Sequence, residues 1–389
     1  MSPPNPKPAR PLAVTVASHD VFWPVRGGGG VRVFWVTRFL LRRGHRVTVV
    51  APFLHRDGLS REFKGIRVRS IGKVTRFSAF KEGRYAVLMV RVFFRLLAAP
   101  ADVIYAQNVV AALPAVFAAR LRCVPLVFDM IDLLTGYSKS ALAVRFGPAL
   151  EKWVLRRADA AVVTSRNLRA LGEACGAMRV EQVRHGVNLE RFFPRPGRRD
   201  TVVFIGGMEA NDGLDLIPVA ARTVLREFPG IRFLFVGECK ALPALVRQVH
   251  SLGLDGSFEF RGWVDQSEVT AVLARARVGL ITSRRVAGTV YAYPLRSIEY
   301  MAMAVPFVAS DLEGVREQAE RSGGGLLFES GDADALARAV LRILRHPDLA
   351  RRLGRNGRRW VLQHADWTRN AARVAEICEQ AAHGWRAEA

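Results

Sequence analysis

The sequence predicts an α/β protein of two doubly wound lobes, each built on a parallel sheet, that face a central cleft. Three observations carry this. Short β-branched runs alternate with longer helix-like segments from end to end. The 389 residues are 50% hydrophobic and 24% charged, enough to fill two cores rather than one. At mid-chain the alternation breaks at Phe192-Phe193-Pro194-Arg195-Pro196-Gly197-Arg198-Arg199, a stretch rich in Pro, Gly and charge that has the character of a linker.

Before that break, Leu12 to Ser18, Arg46 to Ala51, Asp102 to Ala106, Pro125 to Met130 and Ala160 to Thr164 read as the strands of one sheet. After it, Thr201 to Gly206, Ile231 to Gly237, Ser257 to Gly262, Val278 to Ser283 and Pro306 to Ser310 read as those of a second, with Arg- and Ala-rich helices between them. Two Rossmann-like lobes follow, residues 1–193 and 200–366. In open sheets of this kind ligands bind beyond the carboxyl ends of the strands, so the expected site is the cleft between the lobes.

The net charge of +23 is unevenly placed. Residues 1–195 hold 32 basic and 12 acidic side chains, a net of +20, and the remainder nets only +3. A uniform preference for arginine would load both halves alike, so the first lobe is expected to face something anionic. Nucleic acid is excluded as that partner because no RNP, helix-turn-helix or zinc-finger pattern is present. Cys123, Cys175, Cys239 and Cys378 lack metal-ligand spacing and are too scattered for a disulfide framework, which fits a reducing compartment and no metal site. The Pro-rich start, Met1-Ser2-Pro3-Pro4, cannot form the apolar core of a signal peptide, and the longest apolar run, Ala86 to Ala99, is interrupted by Arg91 and Arg95. A cytoplasmic protein is expected.

Three places could carry chemistry. Gly27, Gly28, Gly29 and Gly30 follow the first strand and remove every Cβ from a strand-to-helix turn, letting backbone N–H groups approach a phosphate or sugar; the same run could simply start a helix. Asp129 and Asp132 end a buried strand, where either could orient an acceptor hydroxyl and where Asp132 could instead cap the next turn. In the second lobe Pro294 opens a helix whose first-turn amides, on Leu295, Arg296 and Ser297, could grip a diphosphate beside the Arg296 guanidinium. Glu299 could then bind a ribose diol bidentately or pair with a nearby arginine.

Several stretches, in order, resemble glycosyltransferase family 4, retaining nucleotide-sugar enzymes of the GT-B fold. Glu299 to Ser310 resembles its EYMAxGxPVVAS segment, Leu40 to Val49 its LxxRGHEVTV segment, His185 to Phe192 its NGVDxxRF segment, and Phe260 to Val264 its FxGxV turn. The resemblance runs from about Leu12 to Leu362. It implies a second lobe that binds a UDP- or GDP-linked sugar: Glu299 on the ribose, Arg296 and the amides of Leu295 and Ser297 on the phosphates, Gly207 close by, and Gly262, Trp263 and Val264 near the base. It implies a first lobe that binds the acceptor through Gly27, Gly28 and Asp129, with Gly29, Gly30 and Asp132 at the reacting centre, and a C-terminal helix near 368–389 that packs back on this lobe. Neither a metal nor a cofactor is implied, the nucleotide-sugar being a substrate.

Four positions depart from the family pattern. Tyr291 stands where the first of two glutamates eight residues apart is expected, Met208 and Asp212 replace an Arg and a Lys, and Ile131 replaces a histidine. Arg296, Arg284 and Arg285 are the cations available in their stead. A catalytically weak scaffold and a sugar-nucleotide epimerase stay open beside a glycosyl transferase.

Lys81, Arg84, Arg91 and Arg95 recur at helical spacing, with Val87, Val90, Phe94 and Leu97 on the opposite side. The apolar side is expected to pack on the sheet and the basic side to meet an anionic membrane surface, which points to a lipid-linked or polysaccharide acceptor at the inner membrane face.

Overall fold

A computed structural model of the chain describes residues 10–25, 27–53, 59, 63–73, 83–133, 141–197, 199–237 and 242–384. The Pro-rich start, Lys81 and Cys239 lie outside these residues. The chain forms two compact units, Met1–Arg184 with Trp367–Ala389, and His185–Asp366. It passes between them ahead of the 192–199 stretch, because Val187 and Phe192 are already buried in the core of the second unit.

The first unit contains β1 (Ala13–Ala17), α1 (Gly27–Arg42), β2 (Arg46–Phe53), β3 (Arg67–Lys73), α2 (Gly83–Ala98), β4 (Val103–Gln107), α3 (Asn108–Leu121), β5 (Leu126–Met130), α4 (Ala141–Leu155), β6 (Ala160–Val163), α5 (Arg166–Ala174) and β7 (Val180–Gln182). All seven strands are parallel, in the order β3-β2-β1-β4-β5-β6-β7. Val14 pairs with Val47 on one side and Val103 on the other, so the central strands read as continuous apolar runs covered on both faces. On one face Val14, Val16, Val49 and Val162 pack against Val33, Val36 and Leu40 of α1 and against Val374, Ile377 and Cys378 of a C-terminal helix. That helix is fastened by charge. Glu379 accepts 2.7 Å hydrogen bonds from Arg43 Nε and Nη2 and lies 2.7 Å from His45 Nε2, while His45 Nδ1 accepts from the backbone N–H of Leu12. The segment 40–46 thus has a structural role, with Gly44 at φ +93° making its turn.

Two edge strands of this unit, β3 and β7, escape the sequence reading. Arg67–Lys73 alternates charge with apolar residues, and Val180–Gln182 is three residues long and only half-buried, so neither shows an apolar run.

The orientation of α2 also differs from expectation. Leu88, Val92 and Leu96, four residues apart, form its buried stripe, whereas Val87, Val90 and Phe94 face outward beside the exposed Arg91 and Arg95. The helix packs on α3 and on the sheet, and Arg122 just after α3 donates to the Leu96 carbonyl at 2.9 Å.

The second unit contains β8 (Thr201–Ile205), α6 (Leu216–Glu227), β9 (Arg232–Val236), α7 (Leu242–Ser251), β10 (Phe258–Phe260), α8 (Gln266–Ala274), β11 (Ala276–Ile281), α9 (Ala287–Tyr291), α10 (Leu295–Ala302), β12 (Phe307–Ser310), α11 (Glu313–Ser322), β13 (Gly325–Phe328), α12 (Ala333–Arg345) and α13 (Pro347–His364). The last helix of the chain, α14 (Trp367–Ala382), returns to the first unit. The second sheet is parallel, in the order β10-β9-β8-β11-β12-β13. β13 follows a glycine run and was not expected. In both sheets the strand order reverses beside the first strand of the unit, between β1 and β4 and between β8 and β11, which is where a doubly wound sheet opens a crevice at its strand ends.

Candidate functional site

In the second unit the crevice at the ends of β8 and β11 is walled by α10. Pro294 precedes the helix with φ −61°, and the Ser297 hydroxyl donates back to the Pro294 carbonyl at 2.7 Å. The Ser297 side chain is therefore buried and spent on that bond. Leu295 packs partly into the core, leaving its amide at the helix start.

Arg296 reaches across to the end of β8. Its guanidinium lies 4.5 Å from the centre of the Phe204 ring, passes over Gly206, which holds φ +112°, and donates from Nη2 to the Gly207 carbonyl at 3.3 Å. Its Nη2 is also 3.3 Å from Asp212 Oδ1. Nη1 is sealed from solvent and has no hydrogen-bond partner among the described residues. A buried guanidinium N–H without an acceptor is costly, and an anionic oxygen would satisfy it.

Glu299 lies one helical turn beyond Arg296 and is partly exposed. Its carboxyl has no hydrogen bond or ion pair among the described residues, so it is not spent on a neighbouring arginine. Burial holds it up at about 7, against the charge of Arg296, which pulls the other way. Tyr291 ends α9 half-buried, and the next turn of chain lies against Gly314, where a methyl would come within 2.1 Å of the Ala292 carbonyl. Gly262, at φ +65°, accepts through its carbonyl a 2.7 Å bond from the Gly237 N–H; Trp263 after it is exposed, and Val264 packs partly into the core.

The replaced cations are explained locally. Met208 is buried in the core, and Asp212 accepts a 2.9 Å bond from the Glu209 N–H, closing the turn at 210–212 while it faces Arg296. Arg284 and Arg285 are already committed, to Asp215 and to Glu313 with the Asp311 carbonyl. Arg296 thus keeps a donor to spare at this crevice.

In the first unit the four glycines form the first turn of α1 rather than a loop before it. Gly27 sits at φ +68°. Gly29 faces Asp20 and Ile131: a Cβ there would fall 2.0 Å from Asp20 Oδ2 and 3.3 Å from Ile131 Cδ1. A Cβ on Gly30 would lie 3.0 Å from the Val21 carbonyl, and Gly28 is partly exposed in the same turn. The end of β4 holds this turn in place, since Gln107 donates to the Gly29 carbonyl at 2.9 Å and accepts from the Ser18 hydroxyl at 2.7 Å. Asp20, just after β1, carries no sequence motif, and only the fold brings it to Gly29.

The two strand-end aspartates separate. Asp129 is fully buried and accepts from Arg32 Nε at 2.6 Å and Nη2 at 2.9 Å and from the Tyr105 hydroxyl, so it is enclosed by protein partners and not presented to an acceptor. Its expected binding role is replaced by a structural one. The alternation of side chains along β5 explains this: Asp129 points to the core face that α1 covers. Arg32 also donates to the Val183 carbonyl at 3.0 Å. Asp132 lies past the strand, with Oδ1 sealed and unpartnered, and no capping bond is made among the described residues. Burial first, then the charges of Asp20, Glu151 and Asp129, raise its carboxyl from 3.8 to about 7.

Asp132 therefore binds a proton in the folded state that the unfolded chain has already released. Its contribution to stability is complete below about pH 4 and is lost as the pH rises to about 7. Asp132→Asn is expected to flatten the decline in melting temperature between pH 4 and 7; an unchanged profile would mean that this carboxyl titrates normally.

Comparison with known proteins matches one description to each unit. The glycosyl transferase 4-like domain matches residues 27–188, and glycosyl transferases group 1 matches residues 199–346. Glycogen synthase of Mycobacterium tuberculosis is 25% identical over 297 residues, 73% of this chain and 70% of that protein. A GDP-mannose-dependent α-(1-6)-phosphatidylinositol monomannoside mannosyltransferase of Mycolicibacterium smegmatis is 29% identical over 263 residues, 64% of this chain and 62% of its own length. Among solved structures, sucrose-phosphate synthase from Thermosynechococcus elongatus superposes with a TM-score of 0.81 at 20% identity, over 95% of this chain and 98% of that one. With one domain match on each of its two Rossmann-like units, the chain belongs to the family 4-like glycosyltransferases of the GT-B fold.

Proposed function

We propose that the protein transfers a sugar, with retention of anomeric configuration, from a UDP- or GDP-linked donor to a lipid-linked or polysaccharide acceptor at the inner membrane face. The observation that carries the donor half is Arg296 with Nη1 buried and unpartnered, one turn from a Glu299 carboxyl that makes no hydrogen bond or ion pair, both among the described residues. Arg296 and the amides of Leu295 and Ser297 hold the diphosphate, Glu299 accepts both ribose hydroxyls, Gly207 flanks the phosphates, and the backbone at Gly262 to Val264 reads the base beside Trp263. The cationic grip stabilises the charge that develops on the leaving diphosphate, without a divalent metal or a cofactor in this reading. The bond from the anomeric carbon to the phosphate oxygen breaks and the acceptor oxygen bonds on the same face, its proton passing to the departing phosphate.

In the first unit the Gly27–Gly30 turn and Asp132 receive the acceptor. A carboxyl held near 7 by burial can accept a hydrogen bond from an attacking hydroxyl without being a strong base. Tyr291, in place of a carboxylate, alters the contacts available to the donor sugar. The relative named as GDP-mannose-dependent and acting on a phosphatidylinositol mannoside supports a lipid-linked acceptor, as does the basic first half of this chain.

A thermal-shift screen of UDP, GDP, ADP and their sugars tests the donor half, since a ligand of the native state raises the melting temperature with occupancy. One nucleoside diphosphate should stabilise the chain in EDTA; no response to any of them would remove the assignment. Anomer-resolved proton NMR of the product then tests retention. Gly29→Ala should lower turnover about 10- to 100-fold by driving Asp20 aside, with nucleotide affinity unchanged. Full turnover in that variant would separate the glycine turn from the reaction.

A further inference from the structure

Helices α2, α3 and α4 pack side by side on the first unit. Their outward faces are apolar to an unusual degree. Val87, Val90 and Phe94 of α2, Phe117 and Leu121 of α3, and Val144, Phe146 and Leu150 of α4 are all exposed, Phe94 by 63% and Leu121 by 69%. Phe117 stacks on Trp153 with ring centroids 5.4 Å apart, joining the α3 and α4 parts, and Arg157 lies over that indole at 4.2 Å. Single exposed apolar residues are ordinary, but a cluster on three adjacent helices marks a surface that leaves water.

The charges on the same helices say what covers it. Arg91, Arg95, Arg120, Arg145 and Lys152 are exposed among the apolar residues. The three helices contain one acid, Glu151, and it is buried. A second copy of this face would set like charges against like with no acid to pair them, and nucleic acid would leave the phenylalanines and leucine without partners. Anionic lipid satisfies both components: arginines at the phosphate level and Phe94, Phe117, Leu121 and Phe146 in the acyl boundary below them.

We infer that the exposed face of α2, α3 and α4 is an interfacial docking surface for an anionic lipid bilayer. It sharpens the membrane-linked acceptor of the proposed function by naming three helices rather than one, and it reverses the side of α2 that meets the membrane. The apolar stripe Val87-Val90-Phe94 enters the interface together with the basic residues, instead of packing inward behind them. No helix among the described residues is long and apolar enough to cross a membrane, so the docking is lateral.

The test is co-sedimentation of the full chain with vesicles of phosphatidylglycerol and phosphatidylcholine, and with phosphatidylcholine alone. The chain should bind the mixed vesicles and leave the neutral ones. Phe94→Ser with Leu121→Ser should weaken binding at least about tenfold. Arg95→Gln, Arg120→Gln and Arg145→Gln together should weaken it on the order of 100-fold, at about tenfold or less per cation. All five positions are exposed, so melting temperatures should be unchanged. Equal binding to both vesicle types, or variants that bind like the parent, would overturn the inference. So would a dimer in sedimentation velocity that the Phe94→Ser, Leu121→Ser pair dissociates, since the surface would then belong to a second copy. Nucleotide thermal shifts on the same proteins keep the two readings apart. Vesicle binding without any nucleotide response would sink the transfer reading alone, and the converse would sink the docking surface alone.

Discussion

Glu299→Ala is expected to bind its nucleoside diphosphate about 10- to 100-fold more weakly than the parent, the range that follows from losing hydrogen bonds to a charged acceptor. The carboxyl makes no hydrogen bond or ion pair among the described residues, so its loss strands no protein partner, and the melting temperature should hold. The same side chain predicts a pH dependence. In the free protein it is held at about 7, so between pH 6 and 8 it passes from a neutral acid, with one good acceptor, to a carboxylate that can accept from both ribose hydroxyls. Donor affinity should therefore rise with pH across that window. Glu299→Gln isolates the effect, because the phosphate groups of the ligand titrate alike in both proteins. Calorimetric titration at pH 6, 7 and 8 is the measurement; equal affinities in parent and variant at all three would take Glu299 out of the site.

Asp129→Ala should cost about 3–5 kcal/mol, the penalty of leaving a buried cation without its partner. For a unit of this size that corresponds to roughly 10 °C in melting temperature. Arg32 and Asp129 are fully buried, and the Tyr105 hydroxyl completes the cluster. Burial together with the Asp129 carboxylate pushes the Tyr105 phenol well above its usual range, so it stays a neutral donor. Tyr105→Phe keeps the ion pair and should cost only about 1 kcal/mol. Heat or urea unfolding distinguishes the two. The proposed donor site lies in the other unit, so a nucleotide response should persist in whatever fraction of Asp129→Ala remains folded. A variant that melts with the parent would return Asp129 to the list of acceptor ligands.

The contrast between Asp129 and Asp132 shows where the sequence stops being legible. Both end the same apolar run, and nothing in their spacing says which one a cation far away in the sequence has claimed. Arg32 sits inside a helix that reads as apolar, so its pairing with Asp129 across 97 positions leaves no local trace. The central strands were readable because burial on both faces makes them uniformly apolar, and β3 and β7 were not because edges carry charge. Glu299 and Arg296 could be picked out because they stand one turn apart at a helix start, a local geometry. Asp20 could not: its meeting with Gly29 depends on how β1 and α1 fold together. On α2 the sequence reading took Val87, Val90 and Phe94 for the packed side, whereas Leu88, Val92 and Leu96, an apolar stripe beside it, are the buried ones. Two adjacent apolar stripes on one helix cannot be ranked by periodicity, and only tertiary packing decides between them.

The return of α14 to the first unit has a consequence for synthesis. Residues 185–366 emerge from the ribosome as a uninterrupted block with every strand of their sheet in hand. The earlier half, although made first, must wait with an open apolar slot where Val374, Ile377 and Cys378 will lodge, and with Arg43 and His45 lacking their carboxylate. The first unit can thus be completed only once the last residues of the chain have been made, after the whole of the second.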